Sequence, residues 1–397
     1  MLNKLDYSIY LHIPFCRHRC SYCDFNTYAG MADLIPAYTQ ALCREIQLLA
    51  ESAKETLPVK TVFFGGGTPS LIPLVGLEQI LSSLRQNFDL LPDAEVTLEA
   101  NPGTVSLRYL TGLIRLGVNR LSLGMQSAIP GELRLLEREH EFGEVVQAVA
   151  WARRAGFENL NLDLIFGLPF QTLLTWQETL EQAIALQPDH FSLYALTLEH
   201  GTPMRHQVEQ NLLPTPDPDL AADMYEYAVE RLEQAGFLQY EISNWAHPNI
   251  NGEVMACRHN LQYWRNLPYL GFGAGAHGYA GSVRTANVLS PSVYNQRILE
   301  GEAQIFPRTP ATAEAIQIDR STEIAETMMM GLRLVQEGVS DSTFKERFGQ
   351  SLEEVFSEAI KRLRKLGLLE WAGGNEDILR ISPQGRLLGN QVFVEFI

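Results

Sequence analysis

The first half of the chain alternates between short β-rich runs and amphipathic helical stretches. Apolar residues at helical spacing separate these runs, as in 35–49, 77–88, 107–116, 142–155 and 175–186. Strands joined through helices form parallel sheets, because the chain must cross over before each new strand begins. Six units are fewer than the eight of a closed barrel, so we predict an α/β fold, a partial (β/α)6 barrel of the TIM type. The six predicted strands cover residues 8–13, 61–64, 95–99, 120–123, 160–166 and 191–198.

Glycines, cysteines and polar residues lie where these predicted strands end. A cysteine loop follows the first strand, and residues 65–69 (Gly-Gly-Gly-Thr-Pro) follow the second. The carboxyl ends of parallel barrel strands meet at one mouth, where active sites of such folds are built. The sequence therefore predicts one functional site at this mouth. Its candidate residues at the later strands are Glu99, Gln126, Asp163 and Ala195.

The cysteine loop has the spacing Cys16-x3-Cys20-x2-Cys23. Three thiolates can hold three irons of a 4Fe–4S cluster, whereas full ligation needs a fourth thiolate. The fourth iron is then free to chelate an amine and a carboxylate, which S-adenosylmethionine carries, and the reduced cluster can cleave its sulfonium to a 5′-deoxyadenosyl radical. The alternative is a structural zinc site with His12 or His18 as the fourth ligand.

Other residues at the mouth have polar groups suited to such a cofactor. Glycines let the backbone approach a ligand closely and leave N–H and C=O groups for it. Glu99 can accept hydrogen bonds from hydroxyls or an ammonium, and Arg138 can pair with a carboxylate. An alternative for Arg138 is a surface ion pair with Glu137 or Glu139. Tyr10 and Tyr22 flank the cysteine loop and are either cofactor contacts or core residues.

The last hundred residues change character. Helical patterns at 322–336, 342–348 and 352–366 precede two short β-rich runs at 368–371 and 378–381. This order predicts a mainly helical, winged-helix-like C-terminal domain. We predict three segments: a barrel at 1–215, an accessory segment at 216–300 that completes the barrel side, and the C-terminal domain at 301–397.

Charge and hydropathy exclude some partners. A formal net charge of -16 disfavours binding of nucleic acid, since the surface repels phosphates. No apolar stretch is long enough to span a bilayer, and residues 1–13 lack the pattern of a signal peptide. We therefore predict a cytosolic protein that is not integral to a membrane, in which the crowded cysteines bind metal rather than form disulfides.

Six motifs together resemble the radical S-adenosylmethionine superfamily, in the branch of oxygen-independent coproporphyrinogen III oxidase. The resemblance covers nearly the whole chain and implies a partial barrel, a 4Fe–4S cluster and S-adenosylmethionine. The motifs are Tyr10-Leu-His-Ile-Pro-Phe-Cys16, the cysteine spacing, 65–69, Glu99-Ala-Asn-Pro102, Leu123-Gly-Met-Gln126 and Asp163-Leu-Ile-Phe-Gly-Leu-Pro169. The resemblance places cofactor contacts at Tyr10, Tyr22, Gly66, Gly67, Thr68, Glu99, Gln126, Arg138, Asp163 and Ala195.

Three departures from the oxidase resemble its heme chaperone branch instead. Phe25 stands where the oxidase pattern has a further cysteine, the segment before Cys16 is short, and residues 259–264 read His-Asn-x-x-Tyr-Trp. This resemblance implies a protein that binds heme and passes it to an acceptor protein, with an electron donor such as flavodoxin or ferredoxin. The alternative is porphyrin biosynthesis by the oxidase reaction.

The 259–264 motif offers a heme ligand and two aromatic rings. His259 can ligate heme iron, with Cys257 as a second candidate. Tyr263 and Trp264 can flank a porphyrin face. The alternative is a structural elbow, in which Asn260 bonds the backbone and the rings pack in a core. His277 is a weaker candidate of the same kind.

Overall fold

The computed structural model describes residues 6–374 and 377–397. The strands are β1 (Tyr7–Ile13), β2 (Phe15–Cys16), β3 (Tyr28–Ala29), β4 (Pro58–Gly66), β5 (Asp89–Ala100), β6 (Arg120–Gln126), β7 (Asn159–Phe166), β8 (His190–Ala195), β9 (Leu238–Glu241), β10 (Asn244–Ala246), β11 (Tyr269–Phe272), β12 (His277–Ala280), β13 (Val283–Asn287), β14 (Thr312–Gln317), β15 (Val339–Ser340), β16 (Leu369–Ala372) and β17 (Ile378–Ile381).

The α-helices follow the predicted pattern closely in the first half of the chain. They are α1 (Ile35–Ser52), α2 (Leu74–Asn87), α3 (Leu107–Leu116), α4 (Pro130–Leu135), α5 (Phe142–Ala155), α6 (Leu173–Ala185), α7 (Pro203–Glu209), α8 (Pro218–Gln234), α9 (Arg258–Trp264), α10 (Pro291–Glu300), α11 (Arg320–Gly331), α12 (Asp341–Phe348), α13 (Leu352–Lys365), α14 (Pro383–Arg386) and α15 (Gly389–Phe393). No helix among the described residues is both long and apolar enough to cross a membrane.

The first packing unit contains the described residues up to Arg231, together with Pro268–Ile316. Its strands β1, β4, β5, β6, β7 and β8 lie side by side in chain order and are parallel. Helices connect successive strands, which confirms the predicted parallel (β/α)6 arrangement. Helices α3 and α5 end at Gly117 and Gly156, which are left-handed C-caps with φ of 94° and 104°.

The sheet continues beyond β1 with strands from the segment at 216–300 that was predicted to complete the barrel side, although the sequence did not identify the individual strands. Strand β11 pairs in parallel with β1, and β12 and β13 then add antiparallel strands. These strands are four or five residues long and rich in glycine and aromatic residues, so their period-2 pattern is too short to recognise. They put the turn between β11 and β12 at the same end of the sheet as the cysteine loop.

The strands have one apolar face and one polar face. In β1, Ile9, Leu11 and Ile13 are fully buried. The alternate face carries Ser8, whose Oγ accepts a hydrogen bond from Thr61 Oγ1 of β4 at 2.6 Å. Because side chains alternate along a strand, Tyr10 shares this polar face.

The second packing unit contains Leu232–Leu267 and Gln317–Ile397, described without residues 375 and 376. Its apolar core includes Met328, Phe344, Leu363 and Leu379, and the two predicted β-rich runs form β16 and β17, which pair antiparallel. Helix α11 ends at Gly331, before the predicted 336, because the chain turns there toward β15. These units do not follow the predicted division at 215 and 300, since residues 232–267 pack with the C-terminal unit and 268–300 with the barrel.

Candidate functional site

The cysteine loop connects β2 and β3. Cys16 ends β2, and the backbone N–H of Cys23 donates to the carbonyl of Cys20 at 3.2 Å. Strands β2 and β3 pair in parallel, which fixes both ends of the loop. All three thiols are free and partly exposed. Phe25, just past the loop, is 62% exposed.

Each of the three sulfurs lies near a polar group. Thr68 Oγ1 donates to Cys16 Sγ at 3.7 Å, Arg138 Nη1 donates to Cys20 Sγ at 3.7 Å, and Cys23 Sγ is 3.9 Å from the hydroxyl of Thr27. Such donors stabilise a thiolate, which is the form that ligates metal.

Burial raises the pKa of the Cys16 and Cys23 thiols, and the bonds from Thr68 and Thr27 oppose that rise. Three soft donors in one short loop fit an iron–sulfur cluster. In 6–374 and 377–397, no three His, Cys, Asp or Glu side chains converge closely enough to hold a single metal ion. A four-iron cluster takes each thiolate at a different iron, so its ligands need not converge on one point.

The glycine loop at 65–69 packs against the cysteine loop. Gly66 has φ of +108°, and a Cβ there would lie 2.6 Å from the His12 ring. A Cβ on Gly67 would lie 2.7 Å from Phe15 O and 3.0 Å from Cys16 Sγ. Only glycine therefore fits at these two positions.

The N–H groups expected to be free in the glycine loop already have protein partners. Gly66 donates to Glu99 Oε2 at 3.2 Å, Gly67 to Ile13 O at 2.8 Å and Thr68 to Phe15 O at 2.8 Å. The sequence shows the positions of the glycines, but it does not show that the Glu99 side chain and the backbone of β1 and β2 accept these hydrogen bonds.

Two partly buried carboxylates lie at the mouth. Burial, with a smaller contribution from the negative charge of Asp163, raises the pKa of Glu99 to about 8. Burial also raises the pKa of Asp163, whose oxygens accept hydrogen bonds from Ser122 and Asn161, both at 2.8 Å. The predicted residues Glu99 and Asp163 therefore lie close enough to affect each other's ionisation.

Arg138 is held at the cysteine loop. Its guanidinium donates to Asn101 Oδ1 at 2.5 Å and to Gly124 O at 3.0 Å, in addition to Cys20. Glu137 instead pairs with His18 at 3.0 Å. Asn101, which sequence reasoning missed, also donates to Thr68 at 3.2 Å and so links the Arg138 and glycine-loop contacts.

The remaining predicted contacts also lie at the mouth. Gln126 is buried and has φ of +65°, at an irregularity in the β6–β7 pairing. Tyr10 bonds His12 Nδ1 at 3.0 Å. Burial raises the pKa of Tyr22, and the nearby Arg138 opposes that rise. Ala195 is exposed at the end of β8.

A cavity of about 230 Å³ lies beside this cluster of residues. Most of its lining residues are polar or charged, and they include Cys20 and Arg138. Its lining is Arg17, His18, Cys20, Thr68, Asn101, Gly103, Thr104, Glu137, Arg138, Glu139, His140 and Glu144.

The 259–264 motif forms helix α9 in the second unit. His259 is only 1% exposed, and its Nε2 lies 2.9 Å from the hydroxyl of Tyr263. Cys257 is fully buried immediately before the helix. The guanidinium of Arg333 lies 4.5 Å from the ring centre of Trp264. The structure thus brings the motif's aromatic residues and histidine together in a packed arrangement.

The two other candidate residues of this kind are more accessible. Asn260 is partly exposed on helix α9, and His277 is exposed at the start of β12 in the first unit.

Comparisons with known proteins agree with the fold and the motifs. The sequence pattern of the Radical SAM superfamily matches residues 10–183, and that of the HemN C-terminal domain matches 318–388. The chain is 38% identical to "Heme chaperone HemW" of Bacillus subtilis, over 98% of this chain and 99% of that protein. It is 34% identical to "Heme chaperone HemW" of Lactococcus lactis, over 100% of this chain and 98% of that protein.

A solved structure extends the comparison to three dimensions. Coproporphyrinogen III oxidase (HemN) from Escherichia coli, described as a radical SAM enzyme, superposes with a TM-score of 0.83 at 25% identity. The superposition covers 99% of this chain and 90% of that one. Membership of the superfamily implies a 4Fe–4S cluster and S-adenosylmethionine. The chain belongs to the radical SAM superfamily and, within it, to the family of the HemW proteins.

Proposed function

We propose that this protein is a cytoplasmic heme chaperone on a radical SAM scaffold, which binds heme and delivers it to an acceptor protein. The observation that carries the proposal is the set of full-length relatives called heme chaperones, at 34% to 38% identity over 97% to 100% of this chain. Phe25 and the 259–264 motif, which distinguish this branch from the oxidase, support it.

We assign the 4Fe–4S cluster to Cys16, Cys20 and Cys23. Thr68, Thr27 and Arg138 support this assignment, because they direct hydrogen-bond donors at the three sulfurs. Glycine at 66 and 67 lets the neighbouring loop come close to the cluster without a side chain in the way. When bound and reduced, the cluster supplies an electron to the sulfonium of S-adenosylmethionine. Flavodoxin or ferredoxin is our candidate electron donor.

We assign S-adenosylmethionine to the mouth of the barrel, beside the cluster. Arg138 would pair with its carboxylate, while Glu99 and Asp163 would accept hydrogen bonds from its amino and hydroxyl groups. S-adenosylmethionine carries a positively charged sulfonium, which the carboxyl groups of Glu99 and Asp163 at the mouth would attract. The other proposed contacts are Tyr10, Tyr22, Gly66, Gly67, Thr68, Gln126 and Ala195.

We assign heme contact to the region of α9, with His259 as the first candidate ligand and Cys257 as the second. Asn260, Tyr263 and Trp264 complete this candidate region. His259 Nε2 bonds Tyr263, so ligation of iron through this nitrogen requires that the bond be exchanged. Heme binding at His259 would therefore be coupled to a local rearrangement of α9.

A second candidate function is oxygen-independent oxidation of coproporphyrinogen III in porphyrin biosynthesis. The superposition on the Escherichia coli oxidase and the retained cofactor residues favour it. Phe25 counts against it, because the oxidase pattern has a cysteine there.

One experiment separates the candidates. Anaerobically purified, cluster-reconstituted protein is titrated with hemin and, separately, incubated with coproporphyrinogen III, S-adenosylmethionine and a reductant. Saturable heme absorbance without porphyrin product supports the chaperone. Repeated turnover to protoporphyrinogen IX makes the protein an oxidase. If the purified protein is colourless and contains zinc, rather than brown with iron and sulfide, both candidate functions are contradicted. The cysteine loop is then a structural zinc site.

A further inference from the structure

A chain of buried polar side chains lies beneath Asp163. Ser122 of β6, Asn161 of β7 and His190 of β8 are at most 4% exposed, and the strand registers place them side by side. Ser192 of β8 lies opposite Asp163. Buried polar groups on three adjacent strands cost free energy unless they bond one another, so their arrangement is highly constrained.

Asn161 uses its full hydrogen-bonding capacity within this chain. Its Nδ2 donates to Ser122 Oγ at 2.7 Å and to Asp163 Oδ1 at 2.8 Å. Its Oδ1 lies 2.6 Å from His190 Nδ1 and accepts from Ser192 Oγ at 3.2 Å. A carboxamide has two N–H donors and two acceptor lone pairs, and all four are engaged.

The orientation of the Asn161 carboxamide sets the direction of these bonds. Its NH2 group faces Asp163, and its oxygen faces His190. His190 must then donate from Nδ1. Burial lowers the pKa of His190 well below its usual value, which keeps the ring neutral with this one proton available for Asn161.

Both oxygens of Asp163 are fixed by this chain. Asn161 holds Oδ1, and Ser122 donates to Oδ2 at 2.8 Å. These two bonds fix the plane of the carboxylate, and Ser192, opposite Asp163 on β8, lies within hydrogen-bonding reach of it as well. These bonds also oppose the effect of burial on the pKa of Asp163 and favour the ionised acceptor.

We propose that Asn161 is a positioning residue for cofactor binding: backed by His190, it holds the Asp163 carboxylate in one orientation for the donor groups of S-adenosylmethionine. This inference rests on the proposed assignment of Asp163 to the cofactor site. Asn161 itself would not touch the cofactor. It would act by preventing rotation of the Asp163 carboxylate in the free protein. Cofactor binding would then not have to order this side chain, which otherwise costs free energy.

The test uses Asn161→Leu, which keeps the approximate volume and removes all four bonds. S-adenosylmethionine affinity is measured by anaerobic calorimetry on cluster-loaded protein, and by the change it causes in the electron paramagnetic resonance spectrum of the reduced cluster. We expect affinity to fall about 3- to 10-fold, the cost of ordering one side chain on binding. Iron content and the spectrum without cofactor should not change.

A matched control is Thr97→Val in β5. Thr97 is also fully buried in the barrel, and within the described residues its Oγ1 has no hydrogen-bond partner. Cofactor affinity should stay within about twofold of wild type. If Asn161→Leu does not fold, Ser122→Ala serves instead, since it removes the donor to Asp163 Oδ2 with a smaller change of volume.

A double-mutant cycle distinguishes positioning from a general structural role. In an Asp163→Asn background, Asn161→Leu should have little further effect on affinity, because the carboxylate that it positions is gone. Additive losses would overturn the inference, as would wild-type affinity in Asn161→Leu. Cluster-loaded wild-type protein that does not bind S-adenosylmethionine would overturn both this inference and the cofactor part of the proposed function.

Discussion

The cysteine loop at the barrel mouth presents its sulfurs partly to solvent, whereas the histidine of α9 is almost completely buried. At the mouth, the supporting residues come from six strands and converge because parallel strands end together. In α9, His259 and Tyr263 are neighbours one helical turn apart and bond each other. At the mouth, the three cysteine sulfurs are partly exposed and can meet a ligand, while α9 must change its internal bonds before His259 Nε2 can ligate iron.

The two regions differ in how much of their function can be inferred from sequence motifs without a structure. Convergence of several motifs at one end of a sheet follows from topology alone. Whether a single histidine within a short helix faces a ligand or a core depends on packing by distant residues, here including Arg333 against Trp264. The predictions below test these two regions against each other.

The largest effect is expected from the cysteines. Replacing Cys16, Cys20 or Cys23 by Ala should in each case abolish the cluster, because only two of its four irons would then keep a protein thiolate. Iron and sulfide assays and the brown absorbance provide the measurement. Cys43→Ala is the matched control, since Cys43 lies in α1 away from the loop and should retain full iron content. A cluster that survives loss of one loop cysteine would refute the assignment.

His259→Ala should separate the two regions. If His259 ligates heme, affinity for hemin should fall by about 10-fold or more, the scale of losses at metal sites, while iron and sulfide remain at wild-type levels. Tyr263→Phe is the comparison variant, because it removes the hydroxyl that bonds His259 Nε2 and leaves the imidazole in place. Unchanged hemin affinity in His259→Ala, with only a lower Tm, would mean that α9 is structural. Loss of iron–sulfur cluster would mean that the two sites are not separate.

The sequence predicted the barrel because its strands and helices are long and periodic. It missed the polar chain beneath Asp163 for a physical reason. The run Asn159-Leu-Asn161-Leu-Asp163-Leu alternates polar and apolar residues, as a half-exposed strand does. Both faces of a parallel barrel strand are covered, so Asn161 is 1% exposed and the neighbouring Leu160 and Leu162 on the other face are also fully buried. Whether the polar face is enclosed depends on neighbouring strands, and residue spacing alone carries no such information. The partners of Arg138 were missed likewise, since Asn101 comes from a different strand end.

The smallest effect is expected from the ionisation of Glu99. Burial raises its pKa to about 8, so at pH 7 most of the free protein carries a neutral Glu99. A cofactor with a positive charge and hydrogen-bond donors favours the ionised carboxylate, so binding should release a proton and lower this pKa. Affinity for S-adenosylmethionine should therefore rise with pH, about fivefold from pH 7 to 8, and level off above pH 8.

Glu99→Gln should remove this pH dependence and leave a weaker, nearly constant affinity. Calorimetry on cluster-loaded protein in buffers of different ionisation enthalpy measures both the affinity and the proton released. Glu137→Gln is the control, because Glu137 is exposed and pairs with His18, and it should keep the wild-type pH profile. If Glu99→Gln retains that profile as well, another group at the mouth titrates. Asp163, whose pKa burial also raises, is then the residue to replace next.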